Sequence, residues 1–153
     1  MRDAAVPSPE RSALMRSVRT TGTSPELMVR RALSALGVRY RINVANLPGK
    51  PDIANKRHQF AVLVHGCFWH RHPNCPRASI PKTNTHFWLR KFRDNCERDR
   101  RTLHKLNARG IQVLVVWECQ TRSIDELQKQ LVRFFGKQYG RRSHPSAFSI
   151  SQS

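Results

Sequence analysis

Pro51-Asp52-Ile53-Ala54-Asn55-Lys56-Arg57-His58-Gln59-Phe60-Ala61-Val62-Leu63-Val64-His65 is the stretch that decides the fold of this chain. Phe60 to His65 is an apolar run of strand length. It does not alternate with polar residues, which predicts a strand covered on both faces near the middle of a sheet. Asp52 to Asn55 begins a strand before it, and Lys56-Arg57-His58 is the polar turn between them. If the two strands pair as a hairpin, Asp52 and His65 lie at the same sheet edge.

Working toward the N-terminus, Asn46 to Pro51 reads as a loop and Val38 to Val44 alternates like a further strand. Ser24-Pro25-Glu26 starts a helix, with Ser24 as N-cap and Pro25 at the first helical position, and Gly37 ends it. Working toward the C-terminus, the pattern is lost from Gly66 to Lys82, a stretch rich in Cys, His and Pro. Thr85 to Ala108 then reads as a long charged helix stopped at Gly110, and Ile111 to Trp117 as another buried strand. Ser123-Ile124-Asp125-Glu126 is a capping box opening a helix to about Phe135. The resulting order is helix, three strands, helix, strand, helix: a mixed α/β layer fold. The 153 residues suffice for one core, which we place at residues 21–136. Residues 1–20 read as a flexible basic arm, and residues 137–153 as a loosely ordered basic tail.

Lys and Arg number 28 against 10 Asp and Glu, a formal charge of +18. Such an excess favours a polyanionic partner, nucleic acid first, and rapid steered association. No basic amphipathic helix with a clean apolar face points to a membrane surface. No apolar run approaches the ~20 residues that span a bilayer, and no leader with an apolar core is visible, so a cytoplasmic setting is expected. Cysteines there are ordinarily free, so clustered ones suggest a metal.

Cys67, His72, Cys75 and Cys119 are candidate ligands of a structural zinc, since thiolate and imidazole suit a tetrahedral shell. They fall where no packed core can order the chain, and zinc can contribute roughly 10–16 kcal/mol to a small metal-folded segment. Cys67 and Cys119 each follow a predicted strand, so neighbouring strands would bring their thiols together. His70 competes with His72 as the histidine ligand. Cys96 falls mid-helix and is assigned to packing.

Asp52 suits a hard magnesium ion, with backbone carbonyl and phosphate oxygens completing the shell. His65 and His70 can move protons near neutral pH. Glu26 and Asp99 are the other candidate carboxylates, able to orient an imidazole. Each has a plainer reading: Asp52 as a turn residue, Glu26 as a partner of its helix dipole, Asp99 as a surface ion pair.

Leu47-Pro48-Gly49-Lys50-Pro51-Asp52, His65-Gly66-Cys67-Phe68-Trp69-His70, Asn95 with Glu97-Arg98-Asp99-Arg100-Arg101, and Val115-Val116-Trp117-Glu118-Cys119 together resemble the very-short-patch-repair (Vsr) DNA mismatch endonucleases. The similarity runs from about residue 10 to 135, most of the chain. The resemblance implies a restriction-endonuclease-like mixed central sheet flanked by helices, with a structural zinc loop. It implies a magnesium-dependent enzyme that nicks duplex DNA 5′ of the thymine in a T·G mismatch. It further implies a bacterial, cytoplasmic, nucleoid-associated monomer, with mismatch-repair proteins as further candidate partners. By position, Asp52 and the Val64 carbonyl would bind magnesium, and His70 would be the general base oriented by Asp99. His65 would contact the phosphate or metal-bound water, and Glu26 would support them. Cys67, His72, Cys75 and Cys119 match the zinc ligands. Phe68, Trp69 and Trp88 match aromatics that wedge beside the mismatch, and Asn95 a DNA-contacting residue. Three large rings in a basic, irregular region are poor core material, in keeping with that role; the plainer reading of Trp88 is core packing on its helix. Two positions depart from the family. Its threonine before the active-site histidine is Val64 here, a change to which a carbonyl ligand is indifferent. The loop from Cys67 to Cys75 is one residue longer. The contrasting reading is a non-catalytic, zinc-stabilised module binding distorted DNA, which would need the thiols and rings but neither Asp52 nor His70.

Overall fold

The computed structural model describes residues 21–139, and side chains as far as 136; the predicted arm, 1–20, and most of the predicted tail lie outside the described residues. The hairpin forms as expected. β2 (Ile53–Asn55) pairs antiparallel with β3 (Phe60–His65) in the register Ile53–Val62, Ala54–Ala61, Asn55–Phe60. β1 (Arg41–Ile42) flanks β2, and β4 (Gln112–Trp117) runs parallel to β3, giving a four-stranded mixed sheet in the order β1-β2-β3-β4.

β3 is apolar on both faces because helices cover both. Phe60 and Val62 face a core with Val29 and Leu33 of α1 (Ser24–Ala35), Val116 of β4, and Leu127, Leu131 and Phe135 of α3 (Ile124–Tyr139). Ala61 faces the other way, toward Ala54, Leu47, Leu106 and Ile111, where α2 (Thr85–Ala108) covers the sheet. The period-two alternation of a strand sends its neighbours to these separate cores. Parallel strands need a long crossover, and the irregular segment plus α2 supplies it between β3 and β4. The register sets His65 beside Trp117, so both strands end together and open onto the same edge.

α1 and α2 both end in a glycine with positive φ, Gly37 at +72° and Gly110 at +75°. In each, the next residue's N–H reaches back six residues inclusive, Val38 to Leu33 O and Ile111 to Leu106 O at 3.0 and 3.1 Å. This is the Schellman closure.

Five boundaries differ from the sequence reading. Thr23, not Ser24, caps α1: its hydroxyl accepts from Glu26 N, so Thr23-Ser24-Pro25-Glu26 is the capping unit. Val38 to Val44 shrinks to two paired residues, because Asn43 adopts φ +47° and breaks the strand, while Tyr40 donates to Arg30 O of α1. Asp52 precedes β2 rather than starting it. α3 continues to Tyr139, so the predicted tail begins within a helix. β4, expected as a buried strand from Ile111, starts at Gln112 and is the edge of the described sheet, with only its Val116 buried. No described helix is long and apolar enough to cross a membrane.

Candidate active site and metal centre

A cleft of about 740 Å³ opens at the shared strand ends, and Glu26, Asp52, Val64, His65, His70, Asn95 and Asp99 all line it. Asp52 is held from two sides. Its backbone carbonyl accepts from Asn43 N at 3.0 Å, and its Oδ2 accepts from Val64 N at 2.8 Å. Burial pushes its carboxyl above the ordinary carboxylate range, the Val64 N–H opposes this, and the Glu26 charge adds to the rise. Two carboxylates facing a desolvated cleft would be relieved by a divalent cation with a preference for oxygen. Glu26 itself is 3% exposed, accepting from Gly22 N at 2.8 Å, the Thr23 hydroxyl at 3.2 Å and the Arg30 guanidinium at 3.4 Å. It therefore both closes the cap of α1 and borders the cleft.

His70 Nδ1 meets Asp99 Oδ2 at 2.6 Å. An ionised carboxylate there selects the tautomer with the proton on Nδ1, leaving Nε2 as an acceptor. The His70 ring stacks on His65, with centroids 3.9 Å apart and planes 6° apart. Burial, and then the His70 charge, pull the His65 imidazole down to about 4, so it is neutral at pH 7. Donor atoms of His65, His70 and Asp99 fall within 4.8 Å of one another.

α2 holds the segment carrying His70. Asn95 Nδ2 donates to Trp69 O at 3.3 Å, the Cys96 thiol donates to His70 O at 3.8 Å, and Asp99 takes the ring. Asn95, Asp99 and Thr102 are spaced by four and three, so they share one helix face. Asn95 thus lines the cleft and also fixes the loop backbone. Phe68 and Trp69 are half-buried, and Trp69 borders the cleft. The expectation that the rings are poor core material does not hold for Trp88, which is 7% exposed. It sits 5.5 Å from Phe68, 5.7 Å from Phe92 and 6.0 Å from Trp69.

Beyond the edge, Cys67, His72, Cys75 and Cys119 place one donor atom each within 4.8 Å of one another. Adjacent strand ends bring Cys67 and Cys119 together, as anticipated. The structure brings His72 to the thiols, its Nδ1 3.6 Å from Cys67 Sγ and 3.3 Å from Cys119 Sγ, while His70 is committed to Asp99. Burial pushes the Cys67 thiol up to about 12, whereas the Arg77 backbone N–H pulls Cys75 down. A soft cation among the four donors would supply the charge that lets the buried thiol ionise, and the donor set fits tetrahedral zinc. Cys96, expected to serve packing, is not one of the four donors and is only half-buried; its thiol donates to His70 O.

Several residues escaped the sequence reading. Arg71 donates to Phe68 O, Ala78 O and Ser79 O and lies 4.2 Å over the Phe92 ring, stapling the loop. Lys50 and Arg98 line the cleft, as does Glu118, which is bonded to Arg77 at 2.8 Å. Phe87, 52% exposed beside Trp88, has the Lys91 ammonium 5.7 Å from its ring. The interleaving of basic and aromatic residues along 87–93 was the available signal for Phe87. Nothing in local sequence marked Arg71.

A family model described as DNA mismatch endonuclease Vsr matches residues 4–77. The DNA mismatch endonuclease Vsr of Escherichia coli K12 is 40% identical over 117 residues, 76% of this chain and 74% of the relative. Type II nicking enzyme V.NmeAIP of Neisseria meningitidis is 43% identical over 114 residues, 74% of this chain and 81% of the relative. Type II nicking enzyme V.XorIIP of Xanthomonas oryzae is 40% identical over 125 residues, 81% of this chain and 91% of the relative.

Proposed function

Because the chain belongs to the Vsr family of DNA mismatch endonucleases, we propose that it nicks double-stranded DNA 5′ of the thymine at T·G mismatches, using magnesium for the chemistry and zinc for the scaffold. The observation that carries this reading is the His70–Asp99 pair, at 2.6 Å, facing the cleft that Asp52 lines.

Asp52 and the Val64 carbonyl would hold magnesium. When bound, that ion polarises the phosphate and acidifies a bound water. His70 takes the water's proton at Nε2, while its Nδ1–H donates to Asp99, which fixes the tautomer and stabilises the imidazolium that forms. His65, neutral at pH 7, can donate a hydrogen bond to a phosphate oxygen without placing a second charge against His70. Glu26 holds the Thr23 end of α1 against the cleft. Lys50 and Arg98 offset the repulsion between a phosphate and the carboxylates. Cys67, His72, Cys75 and Cys119 would fill a zinc shell and leave no open position for water, which assigns that ion to structure rather than catalysis.

Trp69, with Phe68 behind it, is the wedge at the cleft mouth, and Trp88 is the packed base on which it rests. Unstacking costs a few kcal/mol per step and least at a mismatch, so wedging itself favours mismatched DNA. The mixed sheet between helices supports a restriction-endonuclease-like reading of the fold.

Incubating the protein with T·G and T·A duplexes, in magnesium or EDTA, tests this on one gel. The T·G duplex alone should be nicked, in magnesium alone, and Asp52→Ala should bind the mismatch yet leave it intact. Tight T·G binding without any magnesium-dependent product would favour the non-catalytic binding module instead.

A further inference from the structure

The rings of the two sites form one continuous chain of contacts. His72 lies flat on Trp117, with centroids 4.3 Å apart and planes at 12°. Trp117 meets His65 edge to face, at 5.4 Å and 71°. His65 in turn lies flat on His70 at 3.9 Å. Trp117 is the last residue of β4, paired in register with His65, and its backbone N–H is capped by Gln120 Oε1 at 2.9 Å. Its own backbone is thereby fixed on the strand side and on the turn side. Its indole is half-buried between a ring of the cysteine cluster and a ring of the catalytic group.

We propose that Trp117 is a positioning residue, setting the tilt of the His65–His70 pair against His72 so that order at the zinc loop is transmitted to the general base. The need for it follows from the geometry. His70 sits on an irregular loop, held at its carbonyl and ring by α2. The Nδ1–Asp99 bond lies in the ring plane, so it resists sliding within that plane but leaves the ring free to tilt about the bond. His65, stacked on the face of His70, blocks that tilt only if its own ring is fixed. His65 has Trp117 on its edge as the large rigid group that fixes it. Aromatic contacts of this kind are individually weak beyond burial, enough to bias a rotamer but not to hold the fold. A small displacement of a catalytic group can lower a rate by about 10²-fold.

The inference rests on the nicking reading above, and its test separates the two. Trp117→Leu should keep zinc at the wild-type stoichiometry, keep KM for the T·G duplex within about twofold, and lower kcat by about 10- to 100-fold. Trp117→Phe, which retains a ring on both sides, should restore kcat to within a few-fold. Independently of activity, the His65 and His70 ring signals in NMR spectra should move or broaden in the Leu variant and return toward wild type in the Phe variant. Unchanged ring signals in a zinc-loaded Leu variant overturn the inference, whatever the enzyme does. A Leu variant that sheds zinc together with rate also overturns it, because Trp117 would then serve the metal loop alone. Failure of the wild-type protein to nick any T·G duplex counts against the nicking reading, and the ring signals still decide the role of Trp117.

Discussion

Asp99 combines a short hydrogen bond to His70 with a position on a rigid helix, so its role can be tested without disturbing the fold. Asp99→Asn keeps the shape but replaces the acceptor with an amide that can present its N–H, which favours the wrong imidazole tautomer. The expected result is a fall in kcat of about 10²- to 10⁴-fold with little change in KM or melting temperature. Steady-state kinetics beside a thermal melt checks this, and a kcat within threefold of wild type removes His70 from the role of base. The cysteines permit an equally direct comparison. Cys119→Ser should lower bound zinc and the melting temperature, because it deletes a donor 3.3 Å from His72. Cys96→Ser should change stability by no more than ~0.5 kcal/mol, as a substitution away from metal and core ordinarily does. Metal analysis of the two purified variants discriminates between them. Cys67, His72 and Cys75 stood out in the sequence because a thiol or imidazole in a segment without apolar periodicity has few structural uses, whereas Asp99, among the charges of a helix, drew its expected role from the family resemblance alone. Trp117 did not stand out, since a tryptophan ending an apolar strand looks like core until the register sets it beside His65.

At the scale of elements, the site depends on how loops meet helices. The loop before Asp52 presses on α2 at Gly49, which has φ +71° and would drive an added Cβ into the Thr102 side chain. Gly49→Ala is therefore strained in its backbone and blocked in space. It should cost about 1–3 kcal/mol and move Asp52 relative to Asp99, lowering both melting temperature and kcat. Pro48-Gly49-Lys50-Pro51 was readable as a loop from composition alone, but the reason for its glycine lies in a helix some fifty residues away. The same limit explains β1. Alternation from Val38 to Val44 has the right period for a strand, yet Asn43 takes a left-handed conformation that no hydrophobic count reveals. The long, strongly patterned elements were legible, namely β3, β4 and α2. The cap of α1 was off by one residue because Thr23 and Ser24 are both good caps. Glu26 three residues after Thr23 was the deciding signal.

The whole molecule carries +18, and its distribution says where DNA would lie. α2 alone contributes Arg90, Lys91, Arg93, Arg98, Arg100, Arg101 and Lys105 against Asp94, Glu97 and Asp99, and it borders both the cleft and the aromatic cluster. Most of those cations are solvent-exposed, so their contribution comes through release of counterions from the phosphates rather than through tight pairing. A face engaging about six phosphates gives a slope near −5 for log K against log salt, hence about a 10³-fold loss of affinity between 50 and 200 mM salt. This electrostatic contribution is blind to sequence, so T·G and T·A duplexes should show parallel salt dependences. The wedge and the ease of unstacking should separate them by a nearly constant factor. Fluorescence anisotropy titrations of both duplexes across that range measure the slope and the offset together. Arg100→Ala with Arg101→Ala should flatten both slopes by up to about two and leave the offset intact, while Trp69→Ala should shrink the offset and leave the slopes. If Trp69→Ala instead flattened the slopes without touching the offset, discrimination would have to come from somewhere other than the cleft mouth.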